Sequence, residues 1–185
     1  MEGFFGLMPP IVPAVVFGYL LGALPLADRI SRRHGVDVFS TGTGLAGATN
    51  VYRSVGRTPA LLVLVGDMSK GALAVIAARV LGIEGTLLLL PVAAAILGHW
   101  YSVFSGFRGG DGLATLGGAG LALFPILGAI SLAVGMLVQF SAQRMPYSSL
   151  MGIVFAYATL VALSLAYVGD NLLVLGTGGL AGLVL

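Results

Sequence analysis

The sequence predicts an all-α, polytopic integral membrane bundle of about 5–7 transmembrane or re-entrant helices, in a single membrane-embedded domain over residues 1–185. Three observations carry this. Of 185 residues, 58% are hydrophobic and 9% are charged, where an ordinary soluble domain carries about 25% charged residues. The few charges cluster, and the stretches between them are long enough to span a bilayer as helices. Those stretches, such as 87–97, are apolar without a break. A membrane β-barrel needs strict apolar–polar alternation, so it is excluded. Lipid offers the backbone no hydrogen-bonding partners, and continuous apolar runs must close their own bonds as helices.

The first apolar segment is expected over 9–26. Glu2 stands where a signal peptide would carry a basic region, and the apolar stretch continues toward Pro25, so this segment reads as a retained helix. A polar stretch, 28–58, follows. The second segment, 59–81, contains Asp67 and Lys70, with Arg79 near its end. The third runs over 86–104 and leads into a short glycine-rich loop. The fourth, 113–140, is long enough to span with tilt or a break. A fifth is expected over 148–168. The stretch 171–185 is apolar but of marginal length.

Charge sets the expected orientation. The polar stretch holds Arg29, Arg32, Arg33, Arg53 and Arg57 against Asp28 and Asp37, a net +3. The positive-inside rule places it in the cytoplasm, with the N-terminus outside. Simple alternation then puts Arg79 and Glu84 outside, Arg108 inside and Arg144 outside, the last mildly against the rule.

Composition removes several chemistries. With no cysteine, disulfides, thiolate nucleophiles and Cys-based metal sites are excluded. His34 and His99 are the only histidines, too few and too poorly accompanied for a metal centre. A net charge of +2 gives no reason to expect nucleic acid. No cofactor is expected.

Four segments carry polar chemistry. The first, 41–53, reads Thr-Gly-Thr-Gly-Leu-Ala-Gly-Ala-Thr-Asn-Val-Tyr-Arg. Its glycines allow backbone N–H groups to approach an anion. Thr43, Thr49 and Asn50 add neutral hydrogen-bonding groups, and Arg53 can hold a phosphate through two parallel bonds. A flexible, glycine-packed loop is the competing reading. In the second segment, Asp67 and Lys70 stand three apart inside an apolar helix, so they share a face. Ionisable groups at that depth mark a functional site by default, with a structural ion pair as the alternative.

The third segment, 98–115, closes one helix with Gly98-His99-Trp100, turns through Phe107-Arg108-Gly109-Gly110-Asp111-Gly112 and opens another at Leu113. A glycine turn before a helix N-terminus suits an anion. Arg108 strengthens that reading, whereas the Asp111 carboxylate competes for the same N–H groups. Trp100, Tyr101, Phe104 and Phe107 also fit an interfacial aromatic belt. The fourth segment, Tyr147-Ser148-Ser149-Leu150, alone is an ordinary helix start. The likeness between 42–47 and 176–182 is what chance gives in a chain with 29 glycines.

In this order the segments resemble the bacterial acyl-phosphate:glycerol-3-phosphate acyltransferases, the PlsY family. The resemblance covers about 18–152. It is carried by Gly22-Ala23-Leu24-Pro25, by Gly47-Ala48-Thr49-Asn50 with Arg53, by Asp67-x-x-Lys70-Gly71, by Gly98-His99 through Phe107-Arg108-Gly109-Gly110 to Gly112-Leu113-Ala114-Thr115, and by Tyr147-x-Ser149-Leu150. It implies a plasma-membrane enzyme that moves an acyl chain from acyl phosphate to the sn-1 hydroxyl of glycerol-3-phosphate, giving lysophosphatidic acid for phospholipid synthesis. The implied catalytic residues are His99, Thr43 and Asn50. The implied substrate-binding residues are Arg53, Lys70, Arg108, Gly109, Gly110, Gly112, Thr115 and Ser149. Its partners would be the two substrates and the bilayer.

Three departures are visible. Leu45 replaces an asparagine, Asp111 replaces a lysine, and nothing after Asn171 matches the family's C-terminal His-Arg-Glu-Asn segment. The exchange at 111 alters the local charge by two, each unit worth roughly 4 kcal/mol before screening at about 4 Å and an effective dielectric of about 20. A divergent member that binds a lipid phosphate or partner without turnover therefore stays open. A small transporter also stays open, although it predicts inverted repeats that the sequence lacks.

Overall fold

The computed structural model describes residues 2–142, 145, 147–167 and 171–184, with the side chains of 2–9, 149 and 171 outside that description. Among them are nine α-helices and no strand. Four spans are long and apolar enough to cross a membrane (Pro10–Arg33, Arg57–Val80, Gly85–Ser105 and Leu150–Tyr167), and three shorter apolar helices accompany them.

Helix α1 (Glu2–Gly22) ends four residues earlier than expected, and α2 (Leu26–Arg33) begins beyond the break. Proline has no N–H and disfavours helix at the residue before it, so Leu24-Pro25 interrupts the ladder. Within the polar stretch, α2 and α3 (Ala48–Ser54) are short helices. They cover a small core of Val38, Val51, Ala60 and Val63.

Helix α4 (Arg57–Val80) has 24 residues, about 36 Å at 1.5 Å per residue. A 3-10 turn (Gly85–Leu88) leads into α5 (Leu89–Trp100). Helices α1 and α5 run side by side in the same direction, with Gly18 against the Pro91 carbonyl, Gly22 against the Ala95 carbonyl and Gly98 against the Tyr19 carbonyl. Without a hydrophobic drive between helices in lipid, such close backbone approach is what holds them together.

The fourth expected segment is broken. Helix α6 (Leu113–Leu123) stops at Phe124, whose dihedrals (φ −131°, ψ 74°) leave the helical region, and α7 (Pro125–Ser141) starts on Pro125. The chain reverses there: Gly128 lies beside Gly120, and Gly117 beside Leu132. Helix α6 itself runs parallel to α4, with Gly71 against the Thr115 carbonyl and Gly118 against the Met68 carbonyl. The Arg79 guanidinium caps its far end, donating to Ala122 O at 2.9 Å and Leu123 O at 3.4 Å. Helix α8 (Ser148–Tyr167) returns along α7, Gly152 packing against Gly135 and Gln139. Helix α9 (Asn171–Val184) closes the bundle, tied to α8 by Tyr157 Oη donating to Val174 O at 3.1 Å. The main core gathers where these helices meet, around Val75, Val92, Leu123, Phe124, Leu160 and Val174.

The reversal corrects the simple alternation of sides. A single span over 113–140 would carry the next loop across the bilayer. Two antiparallel helices return Ser141 and Ser148 to the end from which α6 started. Arg144, expected outside, lies outside the described residues.

Candidate active site

The site is built where α5 ends and α6 begins. After Trp100 the chain makes a 3-10 turn (Val103–Ser105) and passes Gly106 and Phe107, both at positive φ. Phe107, at φ 59°, is bulky for the left-handed region. Its N–H is held by Ser102 O at 2.8 Å, which fixes the turn. Gly109 and Gly110 then lie flat on the end of α5, Gly110 N donating to His99 O at 3.2 Å. A Cβ on Gly109 would meet the His99 carbonyl, and one on Gly110 would meet both His99 Nε2 and the Ala46 carbonyl. Only glycine lets three pieces of chain meet here. Ser102 Oγ donates to Ala23 O at 2.5 Å and Tyr19 Oη to Tyr101 O at 2.8 Å, so α1 braces the same turn.

Beneath this strip lies a buried polar group. Asp67, Lys70 and His99 are 1%, 4% and 6% exposed. Lys70 Nζ is 2.7 Å from Asp67 Oδ1 and donates to Leu24 O at 2.6 Å, while His99 Nδ1 is 3.8 Å from the same carboxylate oxygen. The expected helical-face pairing of Asp67 and Lys70 is present. Lys70, expected to face a phosphate, pairs with Asp67, fixes the carbonyl of the α1–α2 break and lines a small cavity together with Arg108. This cavity of about 10 Å³, lined also by His99 and Ser105, is the size of one water.

The loop over 41–47 folds onto the strip, Ala46 N donating to Gly109 O at 3.0 Å. Asn50, 1% exposed, organises it. Its Nδ2 donates to Val38 O, Thr41 O and Leu45 O at 2.9, 2.9 and 3.0 Å, and its Oδ1 accepts from Thr43 N at 3.3 Å. Those partners take up both amide N–H groups, so Asn50 shapes the loop, while its Oδ1 keeps a second lone pair. Gly42, at φ +61°, has no room for a side chain beside Asn50 Oδ1. Thr43 Oγ1 accepts from Leu45 N at 3.4 Å.

A second, larger cavity of about 530 Å³ opens beside this loop. Thr43, Leu45, Arg53 and Asp111 form its mouth, and the apolar faces of α4, α6, α7, α8 and α9 form its walls. Arg53, in the last turn of α3, is exposed there with no protein partner among the described residues. At α6 the expected competition for helix-start amides is visible: Asp111 Oδ1 accepts from Leu113 N at 3.1 Å. The N–H groups of Gly109, Asp111 and Gly112 carry no protein hydrogen bond among the described residues. Gly112 makes the left-handed turn into α6 at φ +80°.

Arg108 is exposed on the other side of the strip, its guanidinium 4.4 Å from the centroid of the Phe39 ring. Phe39 was not expected; a lone aromatic between two polar segments gives no signal in sequence. Thr115, expected at the substrate, is 0% exposed and packed between α6 and α4. Its backbone carbonyl lies against Gly71 of α4, and it lines neither cavity. The side chain of Ser149 lies outside the described residues. Among the described residues no three His, Cys, Asp or Glu gather as a metal site.

Comparison with known proteins agrees with this architecture. The family profile described as glycerol-3-phosphate acyltransferase matches residues 12–185. A glycerol-3-phosphate acyltransferase 1 from Deinococcus radiodurans is 40% identical over 150 residues, covering 81% of this chain and 76% of that one. One from Geobacter metallireducens is 47% identical over 108 residues, covering 58% and 56% of the two chains. The matched stretch covers little more than half of the Geobacter relative. A crystal structure of PlsY (YgiH), an integral membrane glycerol 3-phosphate acyltransferase in its glycerol 3-phosphate form, superposes with a TM-score of 0.79 at 32% identity, covering 94% of this chain and 86% of that one. The same protein in its lysophosphatidic acid form gives 0.77. On its sequence and its fold together, this chain belongs to the glycerol-3-phosphate acyltransferase family.

Proposed function

We propose that the chain is a membrane glycerol-3-phosphate acyltransferase that takes its acyl group from acyl phosphate. The sn-1 hydroxyl oxygen attacks the acyl carbonyl, a new ester C–O bond forms, and the bond from the acyl carbon to the phosphate oxygen breaks. Phosphate leaves, the hydroxyl proton departs with it, and lysophosphatidic acid remains. Acyl phosphate is already activated, so the protein's work is alignment and stabilisation of the developing oxyanion.

One observation carries the reading: a polar mouth opens directly into a long apolar groove between helices. An amphiphile whose phosphate or acyl-phosphate end stays at the mouth and whose chain lies in the groove fits that shape. Arg53 and the free amides around Gly109 and Gly112 would hold phosphate, with Thr43 beside them. Arg108, on the far side of the glycine strip, would meet a second phosphate. The His99 ring edge against Gly110 would serve as hydrogen-bond donor or proton acceptor. Asn50 would act through the loop it shapes, and Ser149 is kept as a binding residue on the resemblance alone.

The bacterial plasma membrane, with the mouth on the cytoplasmic side and the N-terminus outside, is part of this proposal. It rests on the arginines of the polar stretch. A second reading, a lipid-phosphate binder without turnover, draws on the Asp111 carboxylate bonded to the amide that an incoming phosphate would use. Purified protein in lipid, supplied with glycerol-3-phosphate and either acyl phosphate or an acyl thioester, separates them. Lysophosphatidic acid is expected from acyl phosphate alone. Product from the thioester would refute the donor assignment, and no product from either would leave the binding reading in its place.

A further inference from the structure

Resting on the reading that the groove takes the acyl chain, we infer that its floor measures chain length, and that Leu160 of α8 and Leu123 of α6 are the specificity-determining residues. Arg53 and Asp111 line the groove's polar, exposed part, whereas Leu123, Leu160 and Thr177 line it where it meets the core and are 6%, 8% and 6% exposed. Leu123 and Leu160 line the groove and also belong to the main core, packed with Phe124, Leu173 and Val174. A chain that reaches them meets the packed interior rather than lipid.

Each side of the floor is anchored. Arg79 holds the Ala122 and Leu123 carbonyls at the end of α6. The Phe124-Pro125 reversal turns α7 back across the same end, with Gly128 against Gly120. On the α8–α9 side, Tyr157 Oη holds Val174 O and its ring fills the space left by Gly178. Thr177 Oγ1 is spent on Val174 O at 2.7 Å, so the polar atom at the floor is satisfied internally and leaves the end apolar to a ligand. From Gly112 to Leu123 the α6 axis rises about 16 Å, which fixes the distance between the reacting end and the stop.

A rigid stop has a kinetic signature. A chain already dissolved in lipid gains little per methylene from an equally apolar groove, so kcat/KM stays near level while the chain fits. The first methylene beyond the floor forces close-packed side chains apart, and kcat/KM falls. A chain free to leave between the helices into the bilayer would show no such fall.

The test is transfer to glycerol-3-phosphate, in lipid nanodiscs, from acyl phosphates lengthened two carbons at a time. The wild type should stay near level up to one chain length and fall beyond it. Leu160→Ala and, independently, Leu123→Ala should move that limit about two carbons longer, and Leu160→Phe should move it shorter. A wild-type profile with no fall at long chain lengths overturns the inference and leaves the transferase reading intact, as do variants that are active with the wild-type limit. Absence of product at every chain length overturns both.

Discussion

At the scale of single residues, the site is a matter of where charge is free and where it is already used. Lys70 is used, by Asp67 and by the Leu24 carbonyl. Arg53 and Arg108 are free of hydrogen bonds to the protein among the described residues, and Arg108 alone is oriented, by the Phe39 ring under its face. A stacked guanidinium keeps its edge N–H groups for a ligand. Exposed cation–π contacts are worth about 0.5–1 kcal/mol, so Phe39→Ala should raise the KM for the phosphate that Arg108 holds about two- to fivefold, with kcat unchanged. Phe39→Trp should restore it, and in an Arg108→Ala background Phe39→Ala should have no effect. A loss that persists in that background would make Phe39 merely structural.

Asp111 allows a cleaner electrostatic test. Asparagine keeps the oxygen that accepts from Leu113 N and removes the charge. Asp111→Asn should therefore lower the KM for glycerol-3-phosphate, by about three- to tenfold at low salt and less at high salt, where exposed charges are screened. Unchanged KM at every ionic strength would mean that the acceptor's phosphate does not approach this carboxylate.

At the scale of elements, much of the bundle is legible because lipid imposes a coarse code: long apolar runs, punctuated by charge and glycine. Helices α4, α5 and α8 fall close to their expected positions for that reason. The misplaced features were finer. The reversal between α6 and α7 hangs on Pro125, one residue in a run whose apolar character does not change. Short helices α2 and α3 lie in a polar stretch where no apolar period announces them. Thr115, read with its motif as part of one site, is fully buried where the α6 backbone meets Gly71 of α4. The Asp67–Lys70 pair could be read because i and i+3 always share a face. The use of Lys70 by a carbonyl 46 residues away could not.

Small residues set the α4–α6 contact that carries the site's floor and walls. Gly71→Val would drive a branched side chain into the Thr115 carbonyl. It should cost at least about 1–3 kcal/mol, the range for overpacking a filled interior, and lower the thermal midpoint in detergent by several degrees. An unchanged midpoint would mean that α4 and α6 are less closely packed than described.

At the scale of the whole molecule, the polar apparatus gathers at one end of the helices and the apolar groove extends away from it. That polarity gives the molecule a side as well as a site. Because the natural chain has no cysteine, single replacements report topology without background. In intact cells a membrane-impermeant thiol reagent should label Glu84→Cys, and should label Arg33→Cys only after lysis. The reverse pattern would invert the proposed orientation.

The family and the fold rest on the agreement of sequence, architecture and relatives, and the proposed activity rests on a site that carries an acid, Asp111, on the same cavity as Arg53. Complementation confronts that most directly. In a bacterial strain depleted of its own glycerol-3-phosphate acyltransferase, this chain should restore growth and lysophosphatidic acid synthesis, and Arg53→Ala should not. Failure of the wild-type chain to support growth, with normal amounts of it in the membrane, would contradict the account.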